Sequence, residues 1–139
     1  MDMQWVEHYD PSAVLYVWQG GMEGGNAVAD VLLGEVNPCG KLSDTIAKRI
    51  EDYPSDANFG DTKENIYQED IYVGYRYFDT FRPEQIRYPF GYGLSYTTFN
   101  YGDITLDRTS MPMDGSLTAK VILTNTGNRD GAEVVQLYI

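Results

Sequence analysis

Glu23 stands inside a run of glycines, Gly20-Gly-Met-Glu-Gly-Gly25, and is followed by Asn26-Ala-Val-Ala-Asp-Val-Leu-Leu33. A carboxylate at such a junction has two uses. It accepts hydrogen bonds from the hydroxyl groups of a ligand, or from backbone N–H groups at the start of the helix that follows. Both uses stay open for Glu23, and the glycines around it suit a tight turn. A phosphate cradle is the reading that fails. The run has no Gly-Lys-Ser/Thr ending and no G-x-G-x-x-G spacing, and Glu23 puts a negative charge where the phosphate would lie.

Other chemistries find little to work with. His8 is the only histidine, and it sits in the acidic segment Glu7-His8-Tyr9-Asp10, a solvated setting rather than that of a triad base. Cys39 is the only cysteine, so it has no internal disulfide partner and no companions for a zinc site. No metal and no cofactor is expected. Gly91-Tyr92-Gly93 lacks the third glycine of a dinucleotide fingerprint and reads as turn chemistry. Asp and Glu are too numerous, at 21, for composition to single out a catalytic pair.

Charge and composition narrow the partners. Ten Lys+Arg against 21 Asp+Glu give a net charge of −11, which repels phosphate backbones, so nucleic acid is not an expected partner. Many aromatics on an acidic chain suit neutral polar partners such as sugars, whose rings have an apolar face for stacking and a rim of hydroxyls for carboxylates. A membrane is not expected either, because no stretch approaches the roughly 20 apolar residues that span a bilayer. The first residues, Met1-Asp-Met-Gln-Trp5, have neither a basic start nor an apolar run. No signal peptide is visible, and a cytoplasmic location is favoured.

The elements that must position these residues follow from the pattern. Ala13-Val-Leu-Tyr-Val-Trp18 is nearly continuous in apolar character and predicts a buried strand of a parallel sheet. Ala27, Val28, Val31 and Leu32 recur at helical spacing, and Gly34 is a C-terminal stop. Strand, glycine loop and helix make half of a β-α-β unit, which cannot bury its own faces. Asn37-Pro-Cys-Gly40 reads as a turn, and residues 51–64, interrupted by Pro54 and Gly60, as an exposed acidic loop. Ile71-Tyr-Val-Gly-Tyr-Arg-Tyr-Phe78 is β-prone with aromatic side chains on both faces, an interface more than a sugar platform. Residues 88–99 form a glycine-punctuated aromatic strap. Short strands are expected over 104–106, 117–124 and 134–139, with turns at Asp114-Gly115 and between Asn125 and Gly131. That rhythm suits a β-sandwich, of which only about three strands are present against the usual seven or so.

These residues resemble those of glycoside hydrolase family 3, of the β-glucosidase type. Trp18-Gln-Gly-Gly-Met-Glu-Gly-Gly-Asn-Ala-Val-Ala-Asp-Val-Leu-Leu-Gly34 is similar to the segment that closes the family's α/β sandwich. Asn37-Pro-Cys-Gly-Lys-Leu42 resembles its N-P-S-G-K-L, with Cys39 in place of serine. Tyr67 to Asp79 resembles Y-x-E-G-I-Y-V-G-Y-R-Y-F-D, with Asp70 where glycine is common, and Pro89 to Phe99 resembles P-F-G-Y-G-L-S-Y-T-x-F. Val121 to Tyr138 is similar to the start of a fibronectin type III-like domain.

The resemblance implies a fold and a division of labour. The fold class is an α/β fragment, the end of an α/β sandwich, followed by a partial all-β fibronectin type III-like sandwich. The expected domains are 1–66 for the sandwich, 67–99 for the aromatic strap and 100–139 for the fibronectin-like part. In the family a β/α barrel carries an aspartate nucleophile and the earlier part of the sandwich a glutamate acid/base. Neither motif occurs here, so no catalytic residue is assigned. Trp18 and Glu23 are the substrate-proximal residues that the resemblance carries over. The expected protein is the C-terminal portion of a retaining glycosidase that hydrolyses O-glycosyl bonds and is inactive alone. Its expected partners are a β-glycoside substrate and an N-terminal barrel domain. Two alternatives stand beside it: a stand-alone carbohydrate-binding module, and an interaction module that completes its sheet with another chain.

Overall fold

A computed structural model of the chain describes residues 1–138. In chain order the elements are helix α1 (Trp5–Tyr9), helix α2 (Gly24–Leu33), strand β1 (Ile46–Ala47), helix α3 (Tyr75–Phe81) and strand β2 (Ile86–Tyr88). Four short strands follow: β3 (Phe99–Tyr101), β4 (Thr105–Leu106), β5 (Ala119–Lys120) and β6 (Leu123–Asn125). Single turns of 3₁₀ helix lie at Ile50–Asp52, Asp56–Asn58, Asp70–Tyr72 and Pro83–Gln85. The chain forms two compact units, one of Met1–Gln19 with Gly40–Gly93, the other of Gly20–Cys39 with the residues from Leu94 onward.

The first unit is built around β1. Its two residues pair antiparallel with β2, Ile46 opposite Tyr88 and Ala47 opposite Ile86. Both β1 side chains are buried, as are Met3, Thr45 and Phe78. Tyr53 ties these groups together. Its hydroxyl accepts the Ala47 N–H at 3.0 Å and donates to the Thr45 carbonyl at 3.3 Å, while its ring meets Phe78 edge-on at 5.6 Å. The turn at 91–93 closes on Leu42. The Leu42 N–H donates to the Tyr92 carbonyl at 2.8 Å, and the Gly91 N–H to the Leu42 carbonyl at 2.7 Å. Gly91 has φ of 78°, the left-handed region, and a Cβ on Gly93 would overlap the Gly40 carbonyl oxygen. The expected turn chemistry at 91–93 is therefore present, and both glycines are needed for it.

Two strand expectations in this unit are corrected. Residues 13–18 form no strand, and Val14, Leu15, Tyr16 and Val17 are exposed. An apolar run becomes a buried strand only when neighbours supply its ladder, and no strand among the described residues pairs with this one. Residues 71–78 also form no strand, being a 3₁₀ turn followed by α3. Gly74 adopts φ of 76° and ψ of −138°, which breaks the extended run between its two halves. Beyond it, helical spacing organises the rings. Phe78 is buried, Tyr77 meets Phe81 four residues on at 5.8 Å, and Tyr75 stacks on Phe90 at 4.6 Å. Packing overrides β-propensity here. Residues 51–64 are mostly exposed, as expected.

In the second unit α2 matches the expected helix and starts two residues earlier, at Gly24. Gly34 ends it with φ of 77°, its N–H donating to the Val31 carbonyl at 3.0 Å. β3 pairs antiparallel with β6, with Phe99 opposite Asn125, and β4 pairs with β5, with Thr105 opposite Lys120. The expected strand at 104–106 is present as β4. The one at 117–124 is divided into β5 and β6. Residues 134–138 form no strand, and Ile139 lies outside the described residues. These pairs and α2 make up an α/β fragment.

Two outcomes follow for the first unit. Gly93→Ala forces a methyl against the Gly40 carbonyl and is expected to lower stability by about 1–3 kcal/mol, read as a lower urea midpoint. Burial pushes the Tyr53 phenol above its ordinary value of 10.0, the Ala47 bond opposes the shift, and the Asp44 charge adds to it. The folded chain thus holds this proton more tightly than the unfolded chain. The contribution of Tyr53 to stability is expected to be level below roughly pH 10 and to be lost as pH rises through the folded-state value. Tyr101 is shifted the same way, by desolvation and then by Glu133. Tyr53→Phe should therefore shrink the alkaline slope of the urea midpoint without abolishing it, and an unchanged slope would contradict this account.

Candidate functional site

Trp18 closes the unpaired apolar run of the first unit. Its backbone takes φ of 59°, a left-handed conformation that costs a residue with a large side chain about 1–3 kcal/mol. The residue is 74% exposed, and its ring lies edge-on to Tyr16 at 5.5 Å. Residues 15–19, Tyr16 and Trp18 among them, line an open hollow of about 390 Å³.

Glu23 occupies the N-cap position of α2 in the second unit, with φ of −92° and ψ of 13°. Its backbone carbonyl accepts the Ala27 N–H at 3.0 Å, as an N-cap should. Its carboxylate makes no capping bond to the helix amides. It accepts instead from the Asn26 side-chain amide, Oε2 to Nδ2, at 2.5 Å. The Glu23 carboxylate is exposed beside the positive end of the helix dipole, where a negative charge is favoured. It retains lone pairs for hydroxyl donors, since a carboxylate offers about four acceptor sites. Of the two uses open to Glu23, the side-chain cap is the one that this geometry does not employ. Upstream, the Gly24 N–H turns back to the Gly21 carbonyl at 2.9 Å, and a Cβ on Gly20 would come within 3.0 Å of the Gly24 Cα. The loop is thus closed on itself by backbone, with glycine required at position 20.

Trp18 and Glu23 belong to different units. Asn26, which holds the Glu23 carboxylate, was not singled out from the sequence. A Glu-x-x-Asn spacing at a helix start was the available signal, because residues three apart share a helix face.

The first unit also holds a charged cleft of about 490 Å³, lined by Gln4, Glu7, Lys48, Arg49, Glu51, Asp52 and Arg87. Its three cationic and three anionic side chains balance. Arg87 Nη2 pairs with Glu7 at 2.9 Å and donates to the Lys48 carbonyl at 3.3 Å, and Lys48 Nζ donates to the Glu84 carbonyl at 2.7 Å. Cations so engaged offer no net field to an anion, and the cleft reads as a structural network. His8 is exposed, with its ring beside Tyr9 at 4.5 Å, and Cys39 is exposed with a free thiol. Among the described residues no group of three or more His, Cys, Asp or Glu could hold a metal ion. No helix among the described residues is long and apolar enough to cross a membrane.

With this geometry in view, comparison with known proteins is specific. The profile of the glycosyl hydrolase family 3 C-terminal domain matches residues 1–96. A β-glucosidase of Ruminococcus albus is 55% identical over 139 residues, which is 100% of this chain and 14% of that protein. β-Glucosidase A of Butyrivibrio fibrisolvens is 48% identical over 153 aligned residues, covering 99% of this chain and 18% of its own length. Among solved structures, a β-glucosidase from Paenibacillus barengoltzii superposes with a TM-score of 0.81 at 53% identity, over 91% of this chain and 14% of that one. β-Glucosidase 3B from Thermotoga neapolitana in complex with glucose gives a TM-score of 0.70 at 48% identity, over 84% of this chain and 16% of its own.

Proposed function

This chain belongs to glycosyl hydrolase family 3, and from that premise we propose that it is the C-terminal part of a retaining β-glucosidase-type enzyme. The observation that carries the reading is the relative that is 55% identical along the whole of this chain, itself a β-glucosidase. The chain spans 14% of that relative's length, and the reaction is assigned to the longer protein.

Retention of configuration needs two carboxyl groups roughly 5–5.5 Å apart. One attacks the anomeric carbon and forms a glycosyl ester as the other gives its proton to the leaving oxygen. Water then cleaves the ester, with the second group now taking the proton. We assign neither group to this chain. Its part in the proposal is scaffold and site edge. Residues 1–66 are read as the end of an α/β sandwich, 67–99 as an aromatic strap and 100–139 as the beginning of a fibronectin type III-like sandwich. The antiparallel pairs β3–β6 and β4–β5 support the last of these.

Trp18 and Glu23 are proposed as substrate contacts. The two proposals are independent: the exposed Trp18 side chain suits the apolar face of a sugar ring, and the exposed Glu23 carboxylate suits sugar hydroxyls. The Trp18 backbone strain supports a functional reading, because such strain is retained where the surroundings and the task require it.

The test has two arms. The 139-residue chain alone should release no aryl alcohol from an aryl β-glucoside above buffer, and turnover there would sink the assignment of both carboxyls elsewhere. Residues 1–139 should then replace the aligned segment of the Ruminococcus albus enzyme and leave it active on the same substrate. In that chimaera Glu23→Gln and Trp18→Ala should each raise KM by about tenfold or more, the worth of a hydrogen bond to a charged group or of a stacked ring. Unchanged KM in both would remove these residues from the site.

A further inference from the structure

The C-terminal end of α2 is held by polar side chains, since none of its residues is buried. The Tyr96 hydroxyl donates to the Val31 carbonyl at 2.8 Å. The Arg129 guanidinium donates through Nη1 to the Gly34 carbonyl at 2.8 Å and stands over the Tyr96 ring at 5.8 Å. The Val31 carbonyl, which already accepts the Gly34 N–H, takes a second donor, the Gly34 carbonyl lies just past the last helical residue, and a cation there also meets the negative end of the dipole. Gly34 fits the arrangement twice over. Its φ of +77° ends the helix, and the nearest atom to a Cβ built there is Arg129 Nη1 at 3.0 Å.

Asn37 extends the grip three residues further. Its Nδ2 donates to the Asp130 carbonyl at 2.9 Å, and its Oδ1 accepts from Ser95 Oγ at 2.8 Å and from the Tyr96 N–H at 2.7 Å. Gly131 lies close against it, with a Cβ there falling 2.8 Å from Nδ2. Two segments of the same unit, 95–96 and 129–131, therefore hold one end of the helix. The other end carries the loop 20–25 and Glu23. A ten-residue helix is a stiff rod of about 15 Å, so a shift at its C-terminus reappears at its N-terminus. Substrate contacts tolerate displacements well below 1 Å or so before affinity suffers.

We propose that Arg129 and Asn37 are positioning residues for Glu23. They fix where α2 ends and thereby where the Glu23 carboxylate stands, so the β-rich segment after residue 94 sets substrate affinity without touching sugar. The proposal rests on the reading of Glu23 as a sugar contact.

Two measurements separate that reading from the clamp. Amide hydrogen exchange on the full 139-residue chain reports the clamp. Arg129→Ala and Asn37→Ala should each accelerate exchange of the α2 amides by about tenfold. Kinetics on an aryl β-glucoside in the Ruminococcus albus chimaera report the consequence. Each variant should raise KM by about tenfold with a smaller change in kcat, and Arg129→Lys, which keeps the charge and a donor, should restore most of both effects. Glu23→Gln should raise KM and leave α2 exchange unchanged. The proposal is overturned if α2 exchange in Arg129→Ala matches the parent chain. It is overturned equally if exchange accelerates, KM stays constant and Glu23→Gln still raises KM. An unchanged KM in Glu23→Gln would fell the site reading and, with it, the positioning role, whatever the exchange data show.

Discussion

Leu42 gives and receives a backbone hydrogen bond with the turn at 91–92, and the first unit depends on that closure. Bringing together positions about fifty residues apart costs roughly 3–4 kcal/mol in loop entropy. Two backbone bonds contribute about 1 kcal/mol each and do not offset it. The remainder comes from what the closure aligns. β1 meets β2, Ile46 and Ala47 become buried, and Phe78 is enclosed at 2% exposure, a side chain worth about 1.5–3 kcal/mol of burial. The close approach of Gly93 to Gly40 is what lets the two strands of chain come near enough, and Lys41 Nζ reinforces it by donating to the Gly93 carbonyl at 2.6 Å.

The second unit solves its problem differently. An isolated helix of ten residues is marginal in water, and α2 buries none of its side chains. What holds it is a set of hydrogen bonds to its terminal carbonyls and to Asn37. Each is partly or wholly exposed and so worth less than its geometry suggests, which makes the number of ties matter more than any one of them. Among the described residues of this unit, Thr97 is the buried one. Its hydroxyl donates to Asn125 Oδ1 at 2.7 Å, and the Asn125 side chain also accepts the Gly127 N–H and donates to the Arg129 carbonyl. Asn37 and Asn125 play parallel parts, each joining a segment near residue 96 to the turn around residue 130.

Local features were legible in the sequence, and features set by distant partners were not. Gly34 marked the end of α2 because a left-handed terminal residue is a local requirement. Gly91, with its left-handed φ of 78°, marked its turn for the same reason, whereas the need for Gly93 comes from the Gly40 carbonyl about fifty residues away. The strand expected at 71–78 failed because β-prone aromatics describe only what a segment prefers, whereas Gly74 and the pocket around Phe78 decide what it does. The strand expected at 13–18 failed for want of a ladder, and an apolar run says nothing of where its ladder comes from. Glu23 stood out in the sequence because glycines flank it, and its place at the start of α2 is likewise local. Arg129 and Asn37 did not stand out, because their bonds to the helix end and to the turns span 58 to 95 residues and leave no period behind.

The exposed apolar surface bears on what this chain meets. Leu32 and Leu33 stand 66% and 77% exposed, Ile71 and Val73 69% and 53%, and Val14, Leu15 and Val17 between 42% and 45%. A pyranose presents one apolar face bordered by hydroxyls, so it covers one aromatic ring well and branched aliphatic side chains poorly, because each hydroxyl turned toward them loses its water. Aliphatic surface is covered best by other aliphatic surface, at about 25 cal/mol for each Å² removed from water. Tyr16 and Trp18, 41% and 74% exposed, are the aromatic residues lining the hollow at 15–19. The aliphatic positions therefore favour protein as their cover. Exposed rings accompany these positions, Phe59 and Tyr67 at 88% and 82%, and branched aliphatic surface of this extent is what a segment packed against other protein presents.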